Sequence, residues 1–192
     1  MALVLNWQKK LGYHNNPFQD KPFFADCLVG LEKQREAINL FIIKGQQLGL
    51  VLGEKGTGKS TLLKWLQEEV HGKIKVIVLE AKTIGSRERL EKTLYDATSN
   101  FIEKHIIKDE KTKEEKHTEL KERFKAQHVL FIDDAASLTP PHISLLQEFL
   151  NDTKLQLLLF DTPEKFKKQP FSQRPSLRVK LENYIEDHFL EI

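Results

Sequence analysis

Apolar positions along the chain switch repeatedly between helical spacing and short continuous runs. From Leu31 to Lys44, the residues Leu31, Ile38, Phe41 and Ile42 fall on one helical face, and Gly45 stands where a helix stop is expected. Leu48 to Leu52 is an unbroken apolar run that reads as a strand, and Ser60 to Gln67 returns to helical spacing with no Gly or Pro, ending near His71-Gly72. Ile74 to Leu79 is β-branched and mostly apolar, as a strand covered on both faces should be. From Ser86 to about Ile107, Leu90, Leu94, Ala97 and Phe101 recur at three- and four-residue steps and predict an amphipathic helix. Three further strands are expected at Val129 to Asp133, Leu155 to Phe160 and Leu177 to Leu181, with a helix from about Pro141 to Asn151 between the first two. Strands separated by helices imply an α/β fold: a mostly parallel five-stranded sheet with right-handed crossovers, flanked by helices in three layers.

Two stretches stand outside this alternation. Residues 1–30 hold Leu11 to Phe18 and Lys21 to Phe24, rich in turn formers and aromatics without a period, and read as an ordered arm. Lys108 to Lys125 is mostly Lys and Glu, with Leu120 and Phe124 its only large apolar positions, so it is expected to bury little. Its interleaved signs favour a solvated helix or mobile excursion over a basic binding surface.

The strand at Leu48 to Leu52 runs directly into Gly53-Glu54-Lys55-Gly56-Thr57-Gly58-Lys59-Ser60, which spells G-x-x-x-x-G-K-S. Strand, glycine-rich loop and helix in that order make a phosphate-binding P-loop, which places the fold among the P-loop NTPases. Its glycines let successive backbone N–H groups point at one centre, Lys59 can neutralise phosphate oxygens, and the Ser60 hydroxyl can ligate Mg²⁺. The expected phosphate contacts are Gly53, Lys55, Gly56, Thr57, Gly58, Lys59, Ser60 and Thr61. The bland alternative is a glycine-rich surface turn.

His128 to Asp134 is an apolar strand ending in two carboxylates, and parallel sheets place ligands beyond the carboxyl ends of their strands. Asp133 is positioned to hold the Mg²⁺ shell, and Asp134 could orient or deprotonate a water that attacks a γ-phosphate. Paired acids after a strand also cap helices, and it is the company of Lys59 and Ser60 that favours the Mg²⁺ role.

Composition narrows the setting. The 192 residues suit one α/β-sized domain with one compact core, and a net charge of +2 from 30 basic and 28 acidic residues argues for no particular partner. Cys27 is the only cysteine, which excludes an internal disulfide and a cysteine-cluster zinc site and fits a reducing cytoplasm. No secretory signal pattern and no apolar run of membrane-spanning length is present, so a soluble, cytoplasmic protein is expected.

Taken together, Asn16-Pro17-Phe18, Leu28 to Glu32, Gly53 to Thr61 and Leu130 to Ala135 make the chain resemble an AAA+ ATPase core of the additional-strand class, nearest to ExeA-type and origin-initiator-type ATPases. The resemblance implies ATP and Mg²⁺ as ligands, with residues 31–182 as the core and the arm of residues 1–30 contributing Val29 and Gly30 to the adenine pocket. A helix-entry turn is the equal alternative for that pair. It also implies a polar sensor of the γ-phosphate at Asp161 or Thr162, where Asp-Thr-Pro reads equally as a helix start. In Ser172 to Arg178 it implies an arginine finger for a neighbouring subunit. Arg174, just before the last strand, is the better candidate, whereas Arg178 alternates with Leu177 and Val179.

The chain departs from the pattern in two places. The usual second acid is Glu, and Asp134 is one methylene shorter, a misplacement of about 1 Å that can cost about a hundredfold in rate. At the other end, residues 183–192 look like the start of a lid helix, truncated or minimal. The expected function is an Mg-ATP-binding ATPase of slow turnover that controls assembly with itself or a protein partner. The alternative is a non-hydrolysing nucleotide-dependent switch or binding module serving DNA replication, transposition or secretion. DNA enters only through kinship, and a small-molecule kinase is disfavoured because no arginine-rich lid is visible.

Overall fold

The computed structural model describes residues 30–70, 74–99, 111–167, 170–172 and 175–182. Within them the chain forms α1 (Glu32–Ile43), β1 (Leu48–Gly53), α2 (Lys59–Val70), β2 (Lys75–Glu80), α3 (Ala81–Ile84), α4 (Arg87–Thr98) and α5 (Lys113–Arg123). After α5 come β3 (His128–Asp133), a 3₁₀ turn (Ala135–Ser137), α6 (Pro140–Asp152), β4 (Leu155–Asp161), α7 (Pro163–Phe166), a second 3₁₀ turn (Pro170–Ser172) and β5 (Leu177–Leu181). The five strands pair in the order β2-β3-β4-β1-β5, every pairing parallel. Parallel pairing brings all five carboxyl ends to one edge, where Gly53, Glu80, Asp133 and Asp161 end their strands. The register matches Glu80 with Asp133 and Leu52 with Asp161, so the segments that leave β1, β2, β3 and β4 converge on one place.

The sheet separates two apolar clusters, where one core was expected. On one face α1 and α2 cover Val51, Phe131, Leu158 and Phe160 with Ile38, Phe41, Leu62 and Leu66. On the other, α4, α5 and α6 cover Leu50, Leu130, Ile132, Leu157 and Leu159 with Leu90, Leu94, Phe124, Leu146 and Phe149. Alternate residues of each central strand therefore point into different clusters, which is why β4 is buried along its whole length. The side chains of Leu158 on β4 and Phe41 on α1 fill the space over β1 because Gly49 has no side chain: a Cβ there would stand 2.5 Å from Leu158 Cδ1 and 3.3 Å from the Phe41 ring.

Most boundaries fall within two residues of the sequence reading, and three expectations are corrected. β2 is not covered on both faces: it is an edge strand in which Ile77 alone is fully buried, because α/β sheets leave their outermost strands less shielded. The helix expected from Ser86 to Ile107 ends at Thr98, its cap Ser99 turning extended at φ −68° and ψ 145°, and Phe101 to Ile107 lie outside the described residues. The charged stretch takes the helical one of its two expected forms from Lys113 onward, and it is the expectation that it buries little that is corrected. Thr112 and Glu115 form a reciprocal capping box, and Leu120 and Phe124 are fully buried between α4 and α6. Its charges are paired across the interface as well as solvated: His117 bonds Glu91 and Glu148, and Lys121 bonds Glu148 and Asp152.

Candidate functional site

The P-loop owes its shape to residues that permit or enforce a tight turn. Gly56 and Gly58 have φ of +90° and +85°, a region costly to side-chain-bearing residues. A Cβ on Gly53 would collide with Thr57 Oγ1 and stand 2.8 Å from Leu181 Cβ. Thr57 closes the loop from inside, its amide and hydroxyl both donating to the Glu54 carbonyl at 3.3 and 2.9 Å. Helix α2 begins at Lys59, so the amides of its first turn have no intrahelical acceptor and carry the positive end of the helix dipole. Lys59 Nζ lies across the loop, donating to the carbonyls of Gly53 and Glu54, each at 2.7 Å.

β3 delivers the acids. Ser60 Oγ donates to Asp133 Oδ2 at 3.2 Å, joining the first turn of α2 to the end of β3. These are hard oxygen donors of the kind Mg²⁺ takes one or two at a time, completing its shell with phosphates and water. Among the described residues no group of three or more His, Cys, Asp or Glu could hold a metal by itself. The pair therefore fits an ion bound together with a nucleotide. Asp134 sits in the left-handed region at φ 50° and ψ 42°, held by its own amide donating to Asp133 Oδ1 at 2.9 Å.

Two cations that sequence reasoning missed complete the cleft. Lys82, on α3, bonds Asp134 Oδ2 at 2.5 Å, and the carboxylate holds the Lys82 ammonium above the ordinary lysine range. Lys165 on α7 lines the same cleft of about 530 Å³, together with Lys55, Gly56, Gly58, Lys59, Ser60, Thr61, Asp133, Asp134, Asp161 and Thr162. Lys82 could be found only by knowing that β2 pairs with β3, which places the residues after Glu80 beside those after Asp133.

Asp161 is 3 % exposed and both of its oxygens accept backbone hydrogen bonds, Oδ2 from the Ala136 amide and Oδ1 from the Thr162 amide at 2.6 Å. It thereby ties β4 to the turn behind Asp134. Thr162 is the cap residue of α7 with Pro163 in the first turn, so the helix-start reading of Asp-Thr-Pro holds. Gly30 is exposed with φ 79°, and its amide donates to Glu32 Oε1 at 3.1 Å. Its partner Val29, the proposed finger Arg174 and residues 183–192 lie outside the described residues. Arg178 is exposed on β5, as its alternation suggested.

Among the described residues no helix is long and apolar enough to cross a membrane. No curated protein matches the chain. Solved structures with the same fold include the Orc1 protein of Aeropyrum pernix in complex with DNA, at 16 % identity and a TM-score of 0.65 over 89 % of this chain and 50 % of that one. Drosophila ORC bound to DNA matches at 17 % identity and a TM-score of 0.63, over 86 % of this chain and 46 % of that one. A RuvB mutant of Thermotoga maritima matches at 16 % identity and a TM-score of 0.54, over 86 % of this chain and 50 % of that one. The chain thus spans about half the length of each. The family model described as AAA domain matches residues 42–169, from the end of α1 through the P-loop and both acids to just beyond α7. The chain belongs to the AAA domain family and is an AAA+ P-loop ATPase core.

Proposed function

We propose that this protein binds Mg-ATP in the cleft at the carboxyl edge of its sheet and hydrolyses it, slowly, to control assembly with itself or a protein partner. The observation that carries the reading is the Ser60–Asp133 hydrogen bond, which joins the P-loop helix to the acid-bearing strand beside Lys59. Amides of the loop and of the first turn of α2 would cradle the phosphates, and Lys59 would offset their charge. Ser60 and Asp133 would hold Mg²⁺, which when bound supplies charge neutralisation to the β- and γ-phosphate oxygens. Asp134 would orient a water and accept its proton as the water oxygen bonds the γ-phosphorus. The bond to the oxygen bridging to the β-phosphate breaks, and ADP and phosphate leave.

One observation favours a second reading, in which nucleotide binding switches a surface without turnover. The shorter acid, Asp134, already has Oδ2 engaged by Lys82, leaving less of it for water. A single-turnover assay decides between them. Hydrolysis predicts phosphate release that falls about a hundredfold or more in Asp134→Asn while ATP affinity is kept. No phosphate from the wild type, with nucleotide still bound, selects the switch.

A DNA client is proposed only from the two neighbours described with DNA. ATP-dependent retention of labelled duplex that weakens with salt would support it, and no retention at low salt would remove it. The arginine finger at Arg174 and the base contacts at Val29 and Gly30 are proposals of the same rank, tested by substitution.

A further inference from the structure

We infer that the outer face of α1 is a contact between two copies of this chain, the helices packing antiparallel about a two-fold axis at Leu40. Among the described residues only two large apolar side chains stand exposed, Leu40 at 48 % and Ile43 at 76 %. They are three positions apart and so are neighbours on one helix surface. The opposite face of α1 is committed to the core through Ile38, Phe41 and Ile42, so neither residue can turn inward.

Charge selects the occupant and its direction. Glu36, Leu40 and Lys44 follow one another at four-residue steps along the exposed ridge, an acid and a base on either side of the apolar position. Among the described residues neither Glu36 nor Lys44 has an ion-pair partner. A two-fold axis that crosses the helix at Leu40 sets Leu40 against Leu40, Ile43 against Ala37 and Glu36 of each copy against Lys44 of the other. Parallel packing would instead set Glu36 against Glu36 and Lys44 against Lys44. The surface is therefore complementary to itself in one direction only.

The ridge is also held in place from beneath. Gln156 Nε2, from β4, donates to the Phe41 and Gln46 carbonyls at 3.2 and 2.9 Å, and Gln127 Nε2 donates to the Ile42 carbonyl at 2.9 Å. Carbonyls in the last turn of a helix lack intrahelical donors, so these bonds oppose fraying under Leu40 and Ile43. Little ordering remains to be done when the face is covered. α1 ends just before β1 begins, at the amino edge of the sheet, whereas the cleft lies at the carboxyl edge. The contact leaves both clefts open and does not rest on the Mg-ATP reading.

Sedimentation equilibrium of the full chain, without nucleotide and with Mg-ATP, tests the contact. The wild type should show a reversible monomer–dimer equilibrium in both conditions. Leu40→Gln combined with Ile43→Gln should weaken it at least about tenfold and keep the melting temperature, because both side chains are exposed. At low salt Glu36→Lys or Lys44→Glu alone creates two like-charge pairs and should weaken the dimer about three- to tenfold, and the two exchanges together should restore it. A wild type that stays monomeric up to about 1 mM gives the face to another occupant and overturns the inference. A dimer indifferent to the Gln substitutions, or a double exchange that fails to restore association, overturns it as well. Assembly that requires ATP, is lost in Lys59→Ala and ignores the α1 substitutions overturns this inference and leaves the Mg-ATP reading standing.

Discussion

Replacing Asp161 with Ala separates a structural tie from a nucleotide contact. The carboxylate is 3 % exposed and accepts from the Ala136 and Thr162 amides, so truncation orphans two N–H groups where water has little access. Hydrogen bonds to a charged group are worth about 1.5–3 kcal/mol each, and with both bonds only partly buried the loss should be at the low end for two, about 3 kcal/mol. With a urea dependence of about 2 kcal/mol/M for a domain of this size, the unfolding midpoint should fall by about 1.5 M. Asp161→Asn keeps one acceptor oxygen and should lose about half as much. Circular dichroism against urea measures both variants, and nucleotide affinity measured well below each midpoint gives the second readout. The Ala136 bond braces the turn behind Asp134, so phosphate release should fall in Asp161→Ala while ADP affinity holds. A midpoint within about 0.3 M of wild type would refute the tie and return Asp161 to the role of a nucleotide sensor.

The packing sets other expectations. Gly49→Val puts branched carbon where a Cβ would already stand 2.5 Å from Leu158 Cδ1, and should cost about 1–3 kcal/mol in denaturant unfolding without changing nucleotide affinity in the folded protein. Gly58→Ala imposes a side chain at φ +85° in the P-loop, and should lower Mg-ATP affinity, read by calorimetry, more than it lowers the melting temperature. Phe124→Ala should cost about 3–5 kcal/mol, because the ring is fully buried and edge-on to Phe149 and His128 in the cluster that holds α5. Glu119 is held at about 2, chiefly by a hydrogen bond from Lys111 and then by Arg123 and Tyr95. A carboxyl lowered from 4.5 contributes stability that is fully present above that pH and lost as pH falls toward 2. After allowance for its exposure that contribution is about 1 kcal/mol, so melting curves of wild type and Glu119→Gln should differ at pH 7 and converge between pH 4.5 and 2.

What could be read from the chain divides along a physical line. Elements with a strong internal period were legible: the strand feeding Gly53, the helix carrying Leu62 and Leu66, and the strand ending at Asp133 all stand where spacing placed them. The P-loop was legible because a local backbone conformation demands glycines at fixed offsets. Lys82 and Lys165 were not, because their place in the cleft depends on strand order, and no local pattern records that β2 pairs with β3 or that β4 lies beside β1. The charged helix was undervalued for a related reason. Leu120 and Phe124 are two apolar positions among many charges, yet both point at the gap between α4 and α6, and the charges around them find partners on those helices. Asp161 shows the converse: its polarity suggested a ligand contact, and no local pattern records that both of its oxygens also accept from backbone amides.

Nucleotide binding at the P-loop is the claim on which the other functional readings depend. Titration calorimetry of the wild type with ATP should show saturable, Mg²⁺-dependent binding in the micromolar range or tighter, at about −8 kcal/mol or better. Lys59→Ala should lose most of that affinity while keeping its melting temperature. Equal affinity in the two proteins, or no binding by a folded wild type, would contradict the central claim.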